Sequence, residues 1–195
     1  MNLSDEIGKR ILILDGAMGT MLQKHGLQGN NEKFNFSNPD EILNIHNEYI
    51  EAGADIIETN TFSANRISQM QYGLADRAYD LARAGASIAR KAADEAGGRT
   101  AGEPRKVWVA GSMGPTGKSL SLAQNLSDPT ERPYSFDEMA EAYSEQARGL
   151  IDGGADLLLL ETCFDALNTK SALYAIRNIS SDIPIMLDTH KKEHR

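Results

Sequence analysis

"DGGADLLLLETCF", residues 152–164, puts a helix end, a tight turn, an apolar strand and a polar strand end into one short stretch. Gly153 and Gly154 stop a helix, because glycine reaches the left-handed backbone conformation that a helix C-terminus calls for. Leu157 to Leu160 are apolar without interruption, the pattern of a strand buried on both faces of a helix-covered parallel sheet. Residues 51–62, "EAGADIIETNTF", repeat the arrangement with Gly53, a short apolar strand and the pair Glu58-Thr59. Convergent loop chemistry accounts for the echo by itself. The sharper reading puts both Glu-Thr pairs at one end of one parallel sheet, where α/β proteins bind ligands.

Outward from these stretches, the same alternation continues. Five short apolar runs read as strands: "ILIL" (11–14), "DIIE" (55–58), "VWVAG" (107–111), "DLLLLE" (156–161) and "IPIML" (183–187). Helical segments separate most of them. Pro39 with Asp40 and Glu41 opens a helix over 38–53, an Ala-, Arg- and Glu-rich segment spans 75–98, Ser135 and acidic neighbours open 135–154, and a further helix fits 166–179. Residues 97–106 read as a solvated loop. Strands alternating with helices predict an α/β fold built of βα units around parallel strands.

The chain has 195 residues, a net charge of -8 and a single cysteine. An acidic balance argues against nonspecific nucleic-acid binding, which needs clustered Lys and Arg. No apolar run approaches the roughly 18 residues of a membrane span, and no start resembles a secretory leader, so a cytoplasmic protein without membrane attachment is expected. One thiol makes no internal disulfide and holds no structural zinc unaided.

Three motifs compete for the chemistry. In "VWVAGSMGPTGKSLSLA" (107–123), Gly117, Lys118 and Ser119 imitate a phosphate-binding loop, but Ser112 stands where its first glycine belongs and Pro115 removes an N–H. A tight βα turn with a solvated Lys118 fits better. "DGAMGT" (15–20) follows the first strand; Asp15 is either a turn cap or a strand-end acid, and Gly16 lets backbone N–H groups approach a carboxylate. Glu58 and Glu161 end apolar strands, where each needs a substrate ammonium, an internal Arg or a backbone amide as partner. Thr59 and Asn60 add hydrogen-bonding groups. Cys163 beside Phe164 reads as a small hydrophobe, and His190 and His194 belong to a charged terminal tail.

Taken together, "ILILDGAMGTMLQ", "NPDEILNIHNEYIEAGADIIETNTFSAN", "VAGSMGPTG" and "ADLLLLETCFDALNTKSAL" resemble the homocysteine-binding domain of cobalamin-dependent methionine synthase, in the homocysteine S-methyltransferase family. The resemblance covers roughly residues 7–187. It implies a (β/α)8 TIM barrel with homocysteine bound at the C-terminal strand ends. It further implies a zinc ion, held by three cysteine thiolates, that binds the substrate sulfur, and cobalamin as methyl donor. By the same resemblance, the N–H groups of Gly16 and Ala17 face the homocysteine carboxylate. Asp15 and Glu161 lie near its amino group, and Thr59 and Asn60 line the pocket; Glu58 remains a binding candidate on its strand-end position alone.

The zinc cysteines of the family lie in later strands that this chain lacks. Residues 1–187 are therefore expected to form the N-terminal part of such a barrel, about five βα units of an incomplete eight, with 188–195 a charged tail departing from the family pattern. Open sheet edges point to association, with the remainder of the barrel or with a second copy, and an isolated chain is expected to be marginal and catalytically silent. A noncatalytic, associating piece and a nucleotide-binding P-loop protein stand as the alternatives.

Overall fold

The computed structural model describes residues 3–97, 106–122, 127–128 and 130–188. His190, His194 and most of the 97–106 loop lie outside the described residues. Among the described residues the helices are α1 (Leu3–Ile7), α2 (Met18–Lys24), α3 (Phe34–Ser37), α4 (Pro39–Glu51), α5 (Arg66–Gln69), α6 (Ala78–Gly97), α7 (Phe136–Asp152) and α8 (Ala166–Ile179). The strands are β1 (Ile56–Glu58), β2 (Trp108–Met113), β3 (Leu157–Leu160) and β4 (Ile185–Leu187).

The four strands form one parallel sheet in the order β1-β2-β3-β4, each preceded by a long helix. Register pairs Ile57 with Val109, Gly111 with Leu158 and Leu159 with Met186. The expected first strand, residues 11–14, is reduced to a single parallel bridge between Leu14 and Ile56. Ile13 O accepts Ile56 N–H at 3.1 Å and Ile56 O accepts Asp15 N–H at 3.0 Å, so the segment keeps its place beside β1. It lies at the sheet edge, bonded to β1 and to Asp55 just before it, and leaves Ile11 89% and Ile13 56% exposed. Five parallel segments thus run side by side in chain order, as in the leading part of a (β/α) barrel, and among the described residues the sheet does not close.

Alternation along the strands separates two cores. Ile57 and Val109 pack with Ile50 and Ala89, and Leu158 and Leu160 pack with Leu150, Ala147 and Ile176, all beneath the helix layer. The opposite face gathers Ile56, Trp108, Ala110, Leu157 and Leu159, with Leu3 of α1 among them. Strands buried on both faces explain the unbroken Leu run of 157–160.

Helix ends obey their local signals. Pro39 occupies the first turn of α4, and Gly53 adopts φ +113° after it. Ser135 Oγ accepts Glu138 N–H at 3.2 Å while Glu138 Oε2 accepts Ser135 N–H at 2.7 Å, a reciprocal capping box that fixes the start of α7. The helix expected from residue 75 begins as a 3-10 turn, Ala75–Arg77, before α6. α6 and α7 approach closely because Gly149 and Gly153 lack a Cβ; one at either position would stand 2.5 Å from a backbone carbonyl of α6. Among the described residues, no helix is long and apolar enough to cross a membrane.

Candidate functional site

At the C-terminal ends of the strands lies a cavity of about 320 Å³. Its walls come from β1 and the loop after it, the end of β2, the residue after β3, the start of α2, and residues 29–32. Of the seven residues expected at a binding site, Ala17, Glu58, Thr59, Asn60 and Glu161 line this cavity. Asp15 and Gly16 do not line it. Asp15 is joined to the wall, since its two carboxylate oxygens accept the Glu58 N–H at 3.0 and 3.1 Å. Gly16 lies against Tyr49, where an added Cβ would stand 3.0 Å from the phenol oxygen, and Tyr49 Oη donates to Ala17 O at 3.3 Å.

Three strand ends therefore bring three carboxyl groups together. Burial pushes Asp15 up to about 7 against the opposing Glu58 N–H bond, and the charge of Glu161 adds to the rise. Burial, then the charges of Glu161, Asp15 and Asp188, raise Glu58 to about 8. Glu161 is raised by burial and by Asp188, while the Ser112 hydroxyl, donating to its Oε1, opposes the rise. Among the described residues none of the three is ion-paired with a basic side chain. Like charges so placed favour a cationic ligand or shared protons.

Thr59 and Asn60 are mostly engaged with the protein. Thr59 Oγ1 accepts Ser112 N–H at 2.9 Å, and Asn60 Nδ2 donates to Asn31 O at 2.8 Å and to Asn35 Oδ1 at 2.9 Å. The cavity also shows residues that the motif reading missed. Glu32 is 5% exposed, accepts Ser63 N–H at 2.7 Å and lines the same space. It sits in "GNNEKFNFSNP", where no periodicity separates a buried acid from a solvated one. Ser112, which the sequence places in the loop beyond the 107–111 strand, belongs to β2, since that strand runs on through Ser112 and Met113.

Several N–H groups of the loop after β2 are already committed within the protein. Lys118 N–H goes to Thr116 Oγ1, Leu120 N–H to Asn168 Oδ1, Ser121 N–H to Asp165 Oδ2 and Leu122 N–H to Ser119 Oγ. Two of these bonds tie the loop to the start of α8, and together the four leave fewer N–H groups for a phosphate than a P-loop presents. Gly114 and Pro115 shape a second cavity of about 20 Å³ beside Cys163, and Gly114 admits the Phe62 ring, which an added Cβ would meet at 2.6 Å. Thr162, just after Glu161, holds φ +57°, an unusual backbone for a β-branched residue. Burial pushes the half-buried Cys163 thiol up, with Asp188 and Glu161 adding, so its thiolate is disfavoured. Among the described residues no group of three or more His, Cys, Asp or Glu is placed to hold a metal ion.

Comparison with known proteins bears on the family and the fold. A family model described as homocysteine S-methyltransferase matches residues 12–194. The fold is similar to that of the homocysteine methyltransferase MmuM from Escherichia coli. Its oxidized form is 25% identical with a TM-score of 0.81, and the match covers 98% of this chain and 66% of that one. The metallated form is 24% identical with a TM-score of 0.80, covering 98% of this chain and 67% of that one. The chain spans about two thirds of the length of the E. coli protein.

Proposed function

The chain belongs to the homocysteine S-methyltransferase family, and from that premise we propose that its strand-end cavity binds homocysteine for methyl transfer to the substrate thiol, giving methionine. One observation carries the reading. Asp15, Glu58 and Glu161 share a partly desolvated space without a basic side chain among the described residues to neutralise them, which is what an α-ammonium group needs. In this reading Glu161 and Glu58 face the ammonium from the cavity wall, and Asp15, joined to that wall through the Glu58 N–H, stands near it. Ala17 and Gly16 turn N–H groups toward the carboxylate, and Thr59 and Asn60 shape the wall.

The family resemblance brings zinc and, on the methionine-synthase branch favoured by "NPDEILNIHNEYIEAGADIIETNTF", cobalamin as methyl donor. Zinc, when bound by thiolates, lowers a substrate thiol's pKa and so supplies the nucleophile at neutral pH. The described residues do not fit that ion: their one thiol, Cys163, is held protonated, and no three-ligand group assembles. The part assigned to this chain is therefore binding and orienting the amino-acid end of the substrate.

Calorimetry tests the site with homocysteine, methionine and 4-mercaptobutyrate, which lacks the amine. Homocysteine and methionine should bind and the deaminated thiol should not; equal binding of all three refutes an ammonium site. The sheet edges favour a second reading alongside the first. Ile11 at one edge is 89% exposed and Leu187 at the other is 48% exposed, so association with the remainder of a barrel or with a second copy would cover them. Size-exclusion across a concentration series checks it, and an unchanging monomer with a sharp melt counts against it.

A further inference from the structure

At the wall of the cavity, the buried side chains of Thr59, Thr61 and Gln146 hydrogen-bond the backbone around Ser112. Ser112 N–H donates to Thr59 Oγ1 at 2.9 Å, and Thr61 Oγ1 donates to Ser112 O at 2.8 Å. Thr59 Oγ1 and Thr61 Oγ1 stand 2.6 Å apart. Because the Thr61 proton is committed to Ser112 O, the bond between the two hydroxyls has Thr59 as donor. Gln146 of α7 adds Nε2 donations to Thr61 O at 2.8 Å and to Ser112 O at 3.4 Å. Thr59, Thr61, Ser112 and Gln146 are all 3% exposed or less.

The backbone of Ser112 is thus held through both its N–H and its carbonyl, and its hydroxyl points to Glu161 Oε1. We propose that Ser112 is a positioning residue for substrate binding, aiming the Glu161 carboxylate at the ligand ammonium, with Thr59, Thr61 and Gln146 holding Ser112 in place. This rests on the homocysteine reading of the cavity. The serine spends its proton on Oε1, so Oε2 remains to accept from the ligand. Its hydrogen bond also stabilises the ionised form of Glu161 against burial and the charge of Asp188. Thr59 takes a different part from a substrate contact: its hydroxyl proton is turned inward.

The test has a ligand-free arm and a binding arm, both on the full chain. With 13C-labelled glutamate, NMR titration follows Glu161 in the wild type, Ser112→Ala and Thr61→Val. Loss of the serine donor should raise the Glu161 midpoint by about one pH unit, a roughly tenfold change, and Thr61→Val should move it the same way by less. In calorimetry with methionine, Glu161→Gln and Ser112→Ala should each raise Kd about tenfold or more, while a serine that only served folding would leave Kd and the Glu161 midpoint where they are. Wild-type binding weakened by Glu161→Gln but untouched by Ser112→Ala and Thr61→Val, with an unmoved midpoint, overturns the positioning role alone. A wild-type chain that binds neither methionine nor homocysteine overturns the reading of the cavity and the positioning role with it. If Ser112→Ala does not fold, Thr61→Val decides between the same outcomes.

Discussion

Replacing Glu58 by glutamine removes one of the negative charges around the cavity and keeps the side chain's shape. Burial and then the charges of Glu161, Asp15 and Asp188 carry this carboxyl from 4.5 to about 8 in the folded chain. The native state therefore holds the proton more tightly than the unfolded chain. The associated stability is complete below about pH 4.5 and is lost as pH rises through about 8. At about 1.4 kcal/mol per pH unit, that interval sets a ceiling of roughly 5 kcal/mol. Glu58 is only partly buried, and water and salt screen the repulsion. The expected loss between about pH 5 and pH 8.5 is therefore about 1–2 kcal/mol, or about 2–8 °C in Tm for a chain of this size. Scanning calorimetry across that range should show Glu58→Gln matching the wild type at the acid end and exceeding it at the alkaline end. A difference that stays constant with pH, or that favours the wild type as pH rises, refutes the picture of an uncompensated acidic cluster.

Three further outcomes follow from other parts of the fold. His46 is fully buried with neither ring nitrogen hydrogen-bonded, and burial lowers it to about 4. Because the folded value lies below the ordinary 6.5, stability is full above about pH 6.5 and falls as pH drops toward 4. Urea midpoints should show His46→Leu abolishing up to about 3 kcal/mol of that acid slope. Gly149→Ala puts a Cβ 2.5 Å from the Tyr79 carbonyl and 2.9 Å from Ala82 Cβ, so separating α6 from α7 should cost about 2–3 kcal/mol in urea denaturation. Ser135→Ala breaks the capping box of α7 and should cost about 1 kcal/mol by the same assay.

Much of the scaffold was legible because its signals are local. Pro39, Gly53, Ser135 and the paired glycines 153 and 154 mark where α4 and α7 start and stop, and each acts through the backbone of its own turn. Unbroken apolar runs marked β1 to β3 because those strands are covered on both faces, and β4 carries the same signal although it is only half-buried at the other edge. The run 11–14 carries the same pattern but lies at the edge, where partner and cover are missing, so it forms one bridge. The walls of the cavity were the least legible. α3, α5 and the polar residues between them are held by distant groups, as when Asn35 Nδ2 donates to Asn60 O at 2.8 Å and to Leu81 O at 3.2 Å. Asn30 Nδ2 likewise donates to Gln69 Oε1 at 2.6 Å, across 39 residues of chain. No periodicity records such partners.

The amino-acid sequence by itself determined the order of βα units, the bounds of the four long helices to within a few residues and the presence of an acid after each of three apolar runs, because propensity, capping and alternation act over a few neighbouring residues. Only the tertiary structure decided that those acids meet. Asp15 grips the N–H of a residue 43 positions away, Glu161 accepts a hydrogen bond from the Ser112 hydroxyl 49 positions away, and the shared burial lifts their pKa values together. Coulombic repulsion and desolvation depend on distance in space and on exclusion of water, and both arise only when the parallel strands are laid side by side.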